Sequence, residues 1–236
     1  MLVNTEPVAN REVGVLPLEY ATLHRWPAFD AHFVDSARRE ALEHYISSVF
    51  HASYGATILE YLPLLFSLQR EGAFSASLGL RGAAGERLFC EQYLDASIEV
   101  MVCERYGVAS ERRRIMEMGN LAASTQGDGA LLYLLATAVI HEAGITHLTF
   151  AANRAVRLSI SRCGFTPLII APASAERLGA KAAYWGSYYR GKPMVMLADL
   201  ALTMRQARAQ PAMAALLRRY RVELEQLADA VRQMLL

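Results

Sequence analysis

The chain has 236 residues, 24 lysines and arginines against 23 acidic residues (net charge +1), and 53% hydrophobic content, slightly above the about 45–50% of soluble domains. That length can bury one substantial core, so one α/β domain plus an extension is expected, and the near-neutral charge excludes a general nucleic-acid binder. No run approaches the ~18 apolar residues of a membrane-spanning helix, and the N-terminus lacks a basic region followed by an apolar block. Cys90, Cys103 and Cys163 are odd in number and widely spread, which reads as reduced thiols in a cytoplasmic protein rather than a disulfide framework.

In chain order, residues 1–34 carry Pro7, Pro17 and Pro27 without periodicity and read as an irregular arm. Asp35 or Ser36 can cap a helix running to about Ser53, with Leu42, Tyr45, Ile46, Val49 and Phe50 on one face. Residues 62–70 and 74–81 are two strands around a turn at Arg70-Glu71-Gly72-Ala73, a hairpin. Residues 88–94 read as a short strand and 98–106 as a short helix. Residues 112–122 form a central strand, 131–143 a helix and 147–152 a buried strand. An amphipathic helix follows Asn153, and strands at 168–171 and 193–200 complete a mixed sheet with helices on both faces.

Pro211 opens a last helix, where Met213, Leu217, Tyr220, Leu224, Leu227, Val231 and Met234 alternate spacings of four and three. The seam fits either a homodimer contact or packing on its own domain. Arg218, Arg219 and Arg221 alternate with Glu223, Glu225 and Asp229, which ranks a membrane-surface helix last. Three regions result: the arm over 1–34, a domain over 35–204, and the heptad-patterned helix over 205–236.

The segment 121–130, Leu-Ala-Ala-Ser-Thr-Gln-Gly-Asp-Gly-Ala, joins the central strand to a long helix. Such a turn aims unpaired backbone N–H groups and the positive end of the helix at an anion, and glycine at 127 and 129 lets a pyrophosphate approach closely. No lysine follows, so it is not a Walker loop, and Leu132 stands where a dinucleotide fingerprint needs its third glycine. The alternative is a plain strand-to-helix turn.

The segment resembles the acyl-CoA loop of the GNAT superfamily of N-acyltransferases, Val-x-Pro-x-x-Arg/Gln-Gly-x-Gly/Ala. Leu121, Ala123, Gln126, Gly127 and Gly129 fill its positions in order. The next strand, Asn153, the amphipathic helix and Gly164-Phe165 are similar to the second half of such a domain, where the asparagine lies near the pantetheine arm. One departure stands out: Ile160 occupies the position from which members that use a tyrosine protonate the leaving thiolate.

A narrower resemblance covers residues 36–200. Tyr54-Gly55, the run from Leu88 through Glu91 and Tyr93 to Asp95, the run from Glu117 through Gly119 and Asn120, and Trp185-Gly186-Ser187-Tyr188-Tyr189 look like the thermostable hemolysin family. The resemblance implies a GNAT-like fold: a mixed, mostly antiparallel sheet flanked by helices, with a C-terminal helical extension. It implies binding of an acyl thioester, as acyl-CoA or the phosphopantetheine of acyl-carrier protein, and transfer of the acyl group to a small-molecule amine. The alternatives are a membrane-active hemolysin, as the family's name suggests, and a non-catalytic acyl-thioester-binding protein.

Under this resemblance Glu117 is the candidate base, sharing a strand face with Gly119, which would permit a bulge. Its bland alternative is a salt bridge with Arg112, Arg113 or Arg114. Asn120 and Asn153 are candidates for ordering the pantetheine amides, or else local caps. Glu91 and Tyr93 share a strand face and can line an acceptor pocket or form a surface edge; Trp185, Tyr188 and Tyr189 can wall an acyl or substrate cavity or plug the core; Arg81 can hold a carboxylate or phosphate or end a strand in solvent. His141 and His147 cannot share a helical face, and His44 and His51 lie two turns apart, so no metal is expected. The run Glu111 to Arg114 reads as a solvated strand entry, or as a docking patch for acidic carrier protein.

Overall fold

The computed structural model describes residues 26–235. Most of the expected arm therefore lies outside the described residues, but its end is not irregular. β1 (Ala28–His32) pairs antiparallel with β2 (Leu64–Arg70) and turns Phe29 and His32 inward. Five residues behind a proline are too few for alternation to reveal. β2 and β3 (Ala73–Gly82) form the expected hairpin, its turn built on Glu71 and Gly72 at φ 51° and 82°.

α1 (Arg39–Tyr54) buries Leu42, Ile46, Val49 and Phe50, as the spacing predicts, and stops at Gly55 in the left-handed region. Neither Asp35 nor Ser36 caps it: the Ser36 hydroxyl accepts the Phe33 N–H at 2.8 Å, upstream of the helix. The strand expected over 88–94 is instead a 3₁₀ turn (Cys90–Tyr93), followed by α2 (Ile98–Tyr106). A second 3₁₀ turn (Arg112–Arg114) leads into β4 (Ile115–Ala123), then α3 (Asp128–Glu142), β5 (His147–Ala152), α4 (Arg154–Arg162) and β6 (Leu168–Pro172). After 3₁₀ segments over Ala175–Trp185 and Tyr188–Gly191 comes β7 (Met194–Asp199).

Among the described residues seven strands form one sheet in the order β1-β2-β3-β4-β5-β7-β6, antiparallel throughout except between β4 and β5. α3 lies on one face, almost wholly buried, and α1 and α2 cover the other. The heptad-patterned helix expected over 205–236 is three helices: α5 (Leu200–Ala209), α6 (Pro211–Arg219) and α7 (Arg221–Met234). The break between α6 and α7 falls at Tyr220, a seam residue whose hydroxyl donates to the Pro27 carbonyl at 2.8 Å. Met213, Tyr220, Leu224 and Val231 are buried in the same core as α3, with Leu217, Leu227 and Met234 packed against it. The seam expected as a possible dimer contact is thus occupied within the chain. Among the described residues no helix is long and apolar enough to cross a membrane.

Candidate functional site

β4 is paired unequally on its two sides. Its parallel register with β5 runs from Ile115–His147 to Met118–Phe150 and stops there, although β4 continues to Ala123 and β5 to Ala152. On the β3 side the register jumps from Gly79–Gly119 to Ser77–Ala122, so Asn120 and Leu121 together face Leu78. This is a β-bulge, directly after the glycine expected to permit one, and it bends β4 away from β5. It also exchanges faces: Met116 and Met118 point toward α3 before it, and Leu121 and Ala123 after it, while Ala122 joins the α1 side.

Asn120 holds the bulge in place. It sits at φ 48°, which asparagine tolerates better than most residues, and its Oδ1 accepts the Leu62 N–H at 2.9 Å. Gly79 makes the room, since a β-carbon there would lie 2.9 Å from that same oxygen.

The glycine turn follows at once. Gly127, at φ 84°, takes the cap position of α3, and the Asp128 N–H behind it donates to the Thr125 carbonyl at 3.2 Å. A β-carbon on Gly129 would stand 3.2 Å from that of Ala123, so this glycine also lets the helix close on the strand. Asp128, 1% exposed, would oppose an anion here, but Arg70 meets both its oxygens at 2.8 and 2.7 Å. Between α3 and α4 lies a narrow groove lined by Leu121, Gly129, Ala130, Tyr133 and Ile160 among others.

The sequence profile of the thermostable hemolysin family matches residues 33–204. The chain belongs to the thermostable hemolysin family. Solved structures show the same GNAT-like fold at low identity. FeeM, an N-acyl amino acid synthase from uncultured soil microbes, aligns with a TM-score of 0.53 at 14% identity, over 76% of this chain and 94% of its own. The acyl-homoserine lactone synthase LasI aligns at 0.50 and 13%, over 74% and 90%. The CoA-dependent acyl-homoserine lactone synthase BjaI gives 0.50 and 13%, over 82% and 89%. No curated protein sequence matches the chain.

In this thermostable hemolysin family member, the four motifs that carry the sequence resemblance converge beside the bulge. Gly186, at φ 52°, packs where a β-carbon would lie 2.1 Å from the Tyr54 carbonyl oxygen, and the Ser187 N–H donates to that oxygen at 2.9 Å. Trp185 packs on Phe50, Phe89 and Tyr188, and Tyr188 meets Tyr54 edge-on at 5.3 Å. The hydroxyls of Tyr93 and Tyr189 lie 2.6 Å apart, and burial pushes Tyr189 up to about 12 despite that bond. Asn153 caps α4 by accepting the Val156 N–H at 3.0 Å and donates to the Tyr54 hydroxyl at 2.8 Å. Tyr54, quoted in a motif but not singled out as a site residue, therefore links α1, α4 and the aromatic segment. Neither periodicity nor composition marks such a link.

Glu117 makes none of the expected salt bridges. Its carboxylate, 2% exposed, accepts the N–H groups of Phe89 at 2.8 Å and Cys90 at 2.6 Å, and so fastens the Cys90–Tyr93 turn to the sheet. Burial and the adjacent Glu117 push the Cys90 thiol up. Because 88–94 is not a strand, Glu91 and Tyr93 do not share a face. Glu91 binds Arg112 at 2.7 Å and the N–H groups of Leu88 and Ile98, at the opposite end of β4 from the glycine turn. Arg81 is the register partner of Glu117 and pairs with Glu60. Among the described residues no group of three or more His, Cys, Asp or Glu is arranged to hold a metal ion.

Proposed function

We propose that this protein binds an acyl thioester, carried by CoA or by the phosphopantetheine of an acyl-carrier protein, and transfers its acyl group to the amine of a small molecule. The observation that carries the reading is the wedge between β4 and β5, opened by the Asn120–Leu121 bulge at the head of the glycine turn. The backbone N–H groups around Gln126, Gly127 and Gly129 and the positive end of α3 would hold the phosphate. The arm would lie in the α3–α4 groove beside Leu121 and Ala123, and the wedge would pass the thioester to the aromatic face of the sheet.

There the amine nitrogen attacks the thioester carbonyl, the C–N bond forms, the C–S bond breaks, and the sulfur leaves as thiolate and takes up the proton the amine gives up. Backbone N–H groups after the bulge would stabilise the oxyanion. Asn153, through Tyr54, orders the wall beside the arm, while Tyr93, Trp185 and Tyr188 would bound the acceptor side. FeeM is an N-acyl amino acid synthase, and Arg81, released from Glu60, would suit an acceptor carboxylate of that class. Glu91 contributes through Arg112 by fixing the turn that carries Tyr93. With both oxygens engaged, Glu117 acts in this reading as a positioning residue rather than as the base.

Purified protein supplied with short- and long-chain acyl-CoA or acyl-carrier protein, and with a panel of amino acids and amines, is expected to release thiol only when an amine is present. No amine-dependent release from any thioester would overturn the transfer. Glu117→Gln separates the two roles. Turning an amide NH₂ toward a backbone N–H should destabilise the fold by about 1–3 kcal/mol, with turnover falling alongside. Turnover lost at unchanged stability would make the carboxylate the base.

A further inference from the structure

Tyr133 stands on the second turn of α3, 2% exposed, its ring packed edge-on to Phe150 at 6.0 Å and tilted on Phe165 at 5.4 Å. It lines the α3–α4 groove. Its hydroxyl is buried without a hydrogen-bond partner among the described residues, and so is that of Thr137, one turn further on. Burial pushes the phenol up; Thr137 beside it tempers the rise, but the two hydroxyls do not reach hydrogen-bond geometry. A buried hydroxyl with no partner costs stability, and phenylalanine would fill the same space without that cost.

The other groove walls give a ligand little to bond with. Leu121, Ala130 and Ile160 are hydrocarbon, Ser159 is partly exposed, and Cys163 is a weak donor. The strong buried donor is Tyr133. We propose that the Tyr133 hydroxyl is a ligand-binding group, donating a hydrogen bond to an acceptor atom on the pantetheine arm of the bound thioester, its sulfur or an amide carbonyl. This rests on the acyl-thioester reading above. It accounts for a polar group kept inside an apolar wall: the partner arrives with the ligand, and the hydroxyl then contributes to affinity instead of opposing folding.

The test is Tyr133→Phe, compared with the unaltered protein for melting temperature without ligand and for the Kd of CoA and of hexanoyl-CoA by calorimetry. Without ligand the variant is expected to melt at the same temperature or higher. Its Kd should rise about three- to tenfold, the loss typical of one hydrogen bond. Thr137→Val, which removes the second orphan hydroxyl, should leave Kd unchanged. Equal affinity of Tyr133→Phe and the unaltered protein overturns the proposal, whatever the melting temperature. Failure of the unaltered protein to bind either probe or acyl-carrier protein would instead overturn the thioester reading, and this inference with it.

Discussion

Glu91 and Glu117 are both nearly excluded from solvent, and each is met by backbone N–H groups of the 88–98 segment. For Glu91, burial alone would raise the carboxyl, but the hydrogen bond from Arg112 and those from the Ile98 and Leu88 N–H groups outweigh it. They hold Glu91 below its usual value of 4.5. A carboxyl depressed in the folded state stabilises the fold fully above that usual value, and the stabilisation is lost as pH falls through the lower folded value. Glu91→Gln should therefore lower the melting temperature at pH 7 and flatten its decline below pH ~4.5, as thermal melts across pH would show. Parallel melting curves for the two proteins over that range would remove Glu91 from the acid-sensitive set. These bonds also explain why the sequence misleads here. Residues 88–94 read locally as a short strand, yet Glu117 caps the Phe89 and Cys90 N–H groups from far along the chain, and a local pattern contains no such partner.

At the scale of elements, much of the local geometry of the candidate site could be read in advance. The glycines at 127 and 129 mark the turn, Gly119 marks the region of the bulge, and Asn153 caps α4. Each signal is local: a positive φ, a missing β-carbon, a side chain bonding its own helix. What could not be read is the bracing of the bulge, because Asn120, Leu62 and Gly79 come from three separate segments. Gly79→Ala tests that bracing. Its β-carbon would press on Asn120 and Leu62, and overpacking of this kind costs about 1–3 kcal/mol. A lower melting temperature is expected together with a weaker response to thioester, since the wedge would shift. A destabilised variant that binds thioester as well as the unaltered protein would show that the bulge does not shape the site.

Across the whole molecule, the C-terminal helices decide how α3 is buried. α3 is apolar on every side, so one face lies on the sheet and the other needs a cover, which α5, α6 and α7 supply. A heptad pattern records only that one face is apolar. It does not say whether the partner is a second copy or the chain's own α3, and here it is α3. Leu224→Ala should cost about 2–5 kcal/mol by denaturant unfolding and leave the oligomeric state in sedimentation unchanged. Stability retained with an altered oligomeric state would place the seam between molecules. The function proposed for the glycine turn and the β4–β5 wedge comes down to one claim, that an acyl thioester binds at the head of α3. The most direct measurement is the melting temperature of the purified protein with CoA, acyl-CoA and acyl-carrier protein, alongside Gly127→Glu. A ligand that binds only the native state raises it. The expected result is an increase with thioester that disappears in Gly127→Glu; no increase with any of these ligands, or one that survives the substitution, would contradict the claim.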